Sequence, residues 1–168
     1  MNITLRPIHP EEKETLRDLW EKYDYDSSEY DRSDVNELGL YGEGTLNWYW
    51  TKGSYWAYFI VVDAKLAGFV ILTDRPVIEG TQMDSQVGEF FVMRKYRRMG
   101  VGRRAFEQAF ALHTGRHQIV RHPKNAAAVR FWDTVVNEHT KGQYTLLPSH
   151  PGFVYQDGTA GDVFIFEL

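Results

Sequence analysis

The sequence predicts a mixed, mostly antiparallel α/β sheet flanked by helices, with a βαβα unit at its centre. Three observations carry that expectation. Runs rich in β-branched and aromatic residues alternate with segments whose apolar residues recur at helical spacing. Two of the strand-like runs are separated only by Asp63-Ala64-Lys65, which makes an antiparallel hairpin the natural arrangement. From Val87 onward the order is strand, glycine turn, helix, strand and helix, the order of the central unit.

Taken in order, Ile3 to Ile8 reads as a first strand. Pro10 with Glu11 and Glu12 opens a helix whose Leu16, Leu19, Trp20 and Tyr23 share one face. From Tyr23 to Glu37 the pattern breaks into a polar stretch with six carboxylates and Arg32 as the one cation, which predicts a loop and short helix. Tyr55 to Val62 and Leu66 to Leu72 form the hairpin, and Arg75 to Ser85 is a longer connection. Val87 to Val92 is the central strand, followed by a helix from Val101 that places Ala105, Ala109 and Leu112 on one face before Gly115 ends it. Gln118 to Arg121 is a strand stopped by His122-Pro123, and the helix from Asn125 repeats Ala128, Phe131, Trp132, Val135 and Val136. Tyr144 to Leu147 and Asp162 to Glu167 close the sheet around a turn region, Pro148 to Gly161.

Composition narrows the function classes. At 168 residues, with 43% hydrophobic and 15% aromatic content, the chain is expected to be a single domain over 1–168 with ample core. The absence of cysteine removes disulfides, thiolate metal sites and a cysteine nucleophile together. A net charge of −4 argues against general nucleic-acid binding, which needs an extended basic surface. No opening stretch resembles a signal peptide and no apolar run approaches the ~20 residues that span a bilayer, so a soluble cytoplasmic protein without a membrane partner is expected. The histidines show no ligand spacing, and no metal is expected.

Against that acidic background the stretch Arg94 to Arg104 holds six basic residues and no acid. Within it, Arg97-Arg98-Met99-Gly100-Val101-Gly102 lies between a strand and a helix. A strand entering a glycine turn and leaving as a helix points unpaired N–H groups and the positive helix end at one spot, which suits an anion. Gly-x-x-x-x-Gly-Lys-Ser/Thr is absent, and Gly-x-Gly-x-x-Gly fails because Gly100 and Gly102 are not followed by a third glycine at the required place.

What remains, Arg-x-x-Gly-x-Gly with the run Phe91 to Arg103 around it, resembles the acyl-CoA-binding motif of the GNAT superfamily of N-acyltransferases. Downstream, Asn125-Ala126-Ala127-Ala128-Val129-Arg130-Phe131-Trp132 resembles the family's Asn-x-x-Ala-x-x-Phe-Tyr helix. The Phe-Trp ending and the tail Asn137 to Tyr144 resemble a bacterial branch of predicted acetyltransferases. The resemblance implies that backbone N–H groups across Arg98, Met99, Gly100, Val101, Gly102 and Arg103 hold the CoA pyrophosphate, with Arg97 and Arg103 as charge partners. It also implies that Phe91 and Val92 present strand backbone to the pantetheine arm. Asn125 is a favoured helix N-cap and also a residue that faces the cofactor, and the two roles are compatible.

Chemistry needs a base for an amine that is protonated at neutral pH, and an acid for the departing thiolate. Glu89, three residues before Val92, is the candidate base; its plainer role is a strand-edge carboxylate facing solvent. Where the family carries a tyrosine acid this chain has Trp132, which cannot serve as one. Tyr144 is the replacement candidate, unless it merely packs in the sheet. Asp24, Asp26 and Glu29 belong either to a solvated loop or to a lid that draws in a cationic acceptor. Trp48, Trp50 and Trp56 suit a core or the wall of an acceptor pocket.

The resemblance therefore implies an acetyl-CoA-dependent N-acetyltransferase acting on a small-molecule or peptide amine, as a monomer or homodimer. Without cysteine, transfer is expected to be direct. The rival expectations are a non-catalytic acyl-CoA-binding module, which Trp132 favours, and a protein-interaction domain built on the aromatic, acidic first half.

Overall fold

The computed structural model describes residues 1–42, 46, 49 and 55–168. Among them seven strands form one sheet in the order β1-β2-β3-β4-β5-β7-β6. These are β1 (Ile3–Pro7), β2 (Tyr55–Val62), β3 (Lys65–Thr73), β4 (Ser85–Val92), β5 (Arg116–Arg121), β6 (Tyr144–Val154) and β7 (Ala160–Glu167), with helices α1 (Lys13–Asp31), α2 (Val101–Leu112) and α3 (Ala126–Thr140). The pair β4–β5 is parallel and every other pair antiparallel, so the mixed, mostly antiparallel architecture is present with its βαβα unit at the centre.

Strand β3 explains why helices cover both faces. Its residues from Ala67 to Thr73 are buried without alternation, as expected of a strand packed on both sides. Phe69 and Ile71 face α1, joining Leu16, Leu19, Trp20 and Phe91, and the Trp20 and Phe69 rings stack with centroids 5.5 Å apart. Val70 and Leu72 face the other way, into a core with Ala105, Phe106 and Ala109 of α2 and Trp132, Val135 and Val136 of α3. The β2–β3 turn is made by Asp63 and Ala64, both at positive φ (46° and 63°), the two-residue turn whose twist matches an antiparallel hairpin.

Two sequence expectations are corrected here. Helix α1 does not break after Tyr23 but runs to Asp31, ending at Arg32 in the left-handed region. Ser27 and Tyr30 continue the stripe of Leu16, Leu19, Trp20 and Tyr23, and the carboxylates occupy the intervening positions, so a solvated face is what the charge density marked. The turn region proposed for 148–161 is also too long, because β6 extends to Val154. Pro148 and Pro151 are tolerated in it because β6 is an edge strand, where a missing N–H costs no ladder bond on the open side.

Strand β4 positions the site. Its register against β3 passes from Ile71↔Glu89 to Leu72↔Val87, leaving Gly88 as an extra residue, a β-bulge. The bulge reverses the alternation: Val87 lies in the core beneath α2, whereas Phe91 lies in the core beneath α1 and Glu89 meets Tyr23 of α1. Pairing with β5 covers only Ser85, Gln86 and Val87. Beyond the bulge the two strands part.

Candidate active site

Beside the parted end of β4 lies a cleft of about 750 Å³, walled by the C-terminal half of β4, the N-terminal ends of α2 and α3, and Tyr23, Asp26 and Tyr30 of α1. Phe90, Phe131 and Trp132 form one apolar side, with Phe90 5.2 Å from Trp132 and 5.6 Å from Phe131.

The end of α2 opens onto this cleft. Gly100 is its N-cap, at φ 80°, a conformation that glycine takes without a Cβ penalty. Among the described residues no side chain caps the helix, and its first internal bond is Arg104 N–H to the Gly100 carbonyl at 3.0 Å. The N–H groups of Val101, Gly102 and Arg103 thus have no intrahelical acceptor. A Cβ on Gly102 would stand 3.1 Å from the Phe131 ring, so the bare backbone there keeps both the helix packing and the cleft open. Phe91, Val92, Arg97, Arg98, Gly100, Gly102, Arg103 and Asn125 all line the cleft. Val101 is instead buried in the core, and the Met99 side chain is exposed outside the cleft wall.

The arginines are held by partners. Arg97 Nε donates to the Val92 carbonyl at 2.7 Å and its Nη2 to Asp26 at 2.5 Å, while Arg94 Nε donates to the same carboxylate at 2.7 Å. Burial works to raise the Asp26 pKa, but the two guanidiniums together outweigh it and hold the carboxyl below its ordinary range. Arg103 pairs with Glu138. At the head of α3, Asn125 Oδ1 accepts from Ala128 N–H at 3.0 Å, confirming the cap.

Glu89 is half-buried beneath α1. Tyr49 Oη donates to its Oε1 at 3.2 Å and the Tyr23 hydroxyl bonds to the same carboxyl. Desolvation dominates these hydrogen bonds, and the nearby Asp24 charge adds to it, so the pKa is raised to about 7. Asp24 is itself raised to about 7 by burial and by the charges of Glu21 and Asp31. Tyr155, in the turn after β6, interacts with Glu89 and Tyr30, and its phenol is pushed up by burial.

Several expected residues lie elsewhere. Tyr144 does not reach the cleft; it packs on Phe164 with centroids 5.6 Å apart and lines a separate depression with Arg116 and Gln143. The acidic segment is helix, not lid: Asp26 binds arginines and Glu29 is exposed, leaving Asp24 as the one of the three turned toward Glu89. Trp56 is on the surface with its ring 4.7 Å from His113, outside the cleft, and Trp48 and Trp50 fall outside the described residues. Spacing marks Tyr23 only as part of the helical stripe with Leu16, Leu19 and Trp20, and it does not mark Tyr30, Tyr49 or Tyr155, because three different chain segments bring the four together. Among the described residues no cluster of metal-binding side chains occurs, and no helix is long and apolar enough to cross a membrane.

An open helix N-terminus on the cleft, with the Glu89 carboxyl hydrogen-bonded to Tyr23 of its wall, can hold an anionic ligand close to a proton acceptor. Residues 8–135 match the acetyltransferase (GNAT) family model, and the chain belongs to that family. No curated protein matches the chain by sequence. Among solved structures it is similar to an acetyltransferase from Thermus thermophilus (13% identity, TM-score 0.71, all of this chain and 98% of that one). It is also similar to PaiA N-acetyltransferase from Thermoplasma acidophilum in complex with coenzyme A (13%, 0.65, all of both chains). A third is spermidine N-acetyltransferase from Vibrio cholerae in complex with CoA and spermine (13%, 0.63, 97% of this chain and 92% of that one).

Proposed function

We propose that the protein transfers an acetyl group from acetyl-CoA directly to a primary amine. The observation that carries this is the uncapped α2 N-terminus opening on a cleft whose wall includes Tyr23, the phenol that is hydrogen-bonded to the Glu89 carboxyl behind it. The free N–H groups of Val101, Gly102 and Arg103 fit a pyrophosphate, with Arg97, Arg98 and Arg103 on the cleft wall to balance its charge. Phe91 and Val92, past the bulge and not paired with β5, would hold the pantetheine arm by backbone bonds beside the Arg97 contact to the Val92 carbonyl. Bound acetyl-CoA supplies an activated acyl group. CoA in the PaiA and spermidine acetyltransferase structures, and spermine in the latter, support a CoA donor and an amine acceptor.

Glu89 serves as the base. An alkylamine with a pKa of about 10.4 is protonated at neutral pH, and a carboxylate tuned near 7 accepts its proton, directly or through water, better than one at the usual 4.3 or so. Asp24 and Glu89 make the approach attractive to a cation. Because the chain has no cysteine, no thiol-bound acyl-enzyme lies on the path.

Trp132 favours one other reading, a non-catalytic acyl-CoA-binding module, since it places an indole where the family resemblance puts an acid. The two separate in one assay. With no cysteine background, a thiol reagent detects only released CoA, so acetyl-CoA is incubated with a panel of amines. Amine-dependent thiol release is the expected result. Thermal stabilisation by CoA without release from any amine would instead favour the binding module.

A further inference from the structure

Acyl transfer at this cleft needs a proton for the departing sulfur, and Trp132 has none to give. We propose that Tyr30, entering the cleft from α1, is the catalytic residue that protonates the leaving thiolate. This rests on the acetyl-CoA reading above and adds to it the identity of the acid.

Two phenols line the cleft among the described residues, Tyr23 and Tyr30. Tyr23 is engaged with Glu89 on the base side. Tyr30 bonds instead to Asn125 at the head of α3, the same helix that carries Trp132. The direction of that bond follows from the cap. Asn125 Oδ1 is committed to Ala128 N–H, so it is the amide nitrogen that donates to the Tyr30 oxygen. The phenol is therefore an acceptor in that contact, and its own proton is left to be given away. Ser27, one turn earlier, is its other neighbour, and like Asn125 it favours the phenolate that remains once the proton has been given away. The Tyr30 ring lies 4.8 Å from His122, which fixes it from the β5 side. Burial raises the phenol to about 12 against the opposing pull of Asn125, so it is protonated at neutral pH.

The step balances. The amine lone pair forms the C–N bond, the C–S bond breaks with its electron pair on sulfur, Glu89 takes the proton from nitrogen and Tyr30 Oη gives its proton to sulfur. Solvent at the cleft mouth then returns one proton to Tyr30 and takes one from Glu89.

The test is Tyr30→Phe, read in three ways. The expected result is a fall in kcat of about a hundredfold with the KM for acetyl-CoA nearly unchanged. The second readout needs no turnover: the thiol of bound CoA is titrated by its thiolate absorbance. Loss of a hydrogen-bond donor to sulfur raises the pKa of that thiol in the variant. Third, fluorotyrosine at position 30 alters phenol acidity with little change of shape, and kcat should respond even if Tyr30→Phe folds poorly. Unchanged kcat and unchanged bound-thiol pKa would overturn the assignment while leaving acetyl-CoA-dependent transfer intact. A native chain that neither binds CoA nor releases thiol would overturn both.

Discussion

Asp26 and Arg97 stand 71 residues apart in the chain, yet the Arg97 guanidinium donates to both oxygens of the Asp26 carboxylate, at 2.5 and 3.4 Å. This pair, joined by Arg94, ties the end of α1 to the glycine turn. Asp26→Ala should raise the KM for acetyl-CoA several-fold, because Arg97 loses the contact that orients it, and leave the acceptor KM alone. Initial-rate measurements varying each substrate in turn check this; a change confined to the acceptor would make Asp26 part of the amine site.

Glu89 gives a pH dependence with a defined sign. As a base it must be ionised, so kcat/KM should rise about tenfold per pH unit below its pKa of about 7 and level off above it. Glu89→Gln should lower the plateau by a hundredfold or more and remove that limb.

The same group predicts an opposite trend in stability. Its folded pKa lies above the unfolded value of 4.5, so the folded state holds the extra proton between the two. The stability it contributes is complete below 4.5 and is lost as pH rises to about 7. Glu89→Gln, which keeps an oxygen for Tyr49 and carries no charge, should therefore match the native chain near pH 4 and exceed it at pH 8 by about 3 kcal/mol. Denaturant melts at the two pH values measure the difference.

Gly100 and Gly102 fail differently when substituted. Gly100→Ala meets no atom within 4 Å but forces a Cβ onto φ 80°, so it should cost about 1 kcal/mol of stability and leave CoA affinity nearly as it was. Gly102→Val meets the Phe131 ring, and the extra methyls fill the approach to the free N–H groups. It should weaken CoA binding more than tenfold and also lower the melting temperature, because the Phe131 ring has to give way.

Arg121 is buried at the end of β5 and pairs with Asp162 at 3.1 Å and Asp133 at 2.5 Å, while also donating to the Val129 carbonyl at 3.1 Å. Replacing it by alanine leaves Asp162 a nearly buried, unpaired charge, for which about 3–5 kcal/mol of lost stability is expected. Urea unfolding should show a lower midpoint at unchanged slope.

The parts of this molecule that were legible in sequence are those set by local chemistry. The Asp63-Ala64 turn, the β4 strand, the glycine turn before the helix at Val101 and the Asn125 cap each follow from residue types at fixed spacing, and each is present. What sequence left out depends on register and on distant partners. Nothing local announces the Gly88 bulge that turns Glu89 toward α1, because an extra residue is defined only against the facing strand. The run Tyr23 to Asp31 reads as loop by its charge, and becomes helix because Tyr23 packs on Phe69 and Phe91 while Asp26 meets Arg94 and Arg97. Tyr30 stayed hidden for the same reason: its partner, Asn125, lies 95 positions on.

Every step of the proposed reaction depends on acyl-CoA binding through the open end of α2, in the cleft at the C-terminal end of β4. Titration calorimetry of the native chain and Gly102→Val with CoA tests it most directly. The account predicts saturable binding of one CoA per chain, weakened more than tenfold by the substitution. Absence of binding at millimolar CoA, or equal affinity in the two proteins, would contradict it.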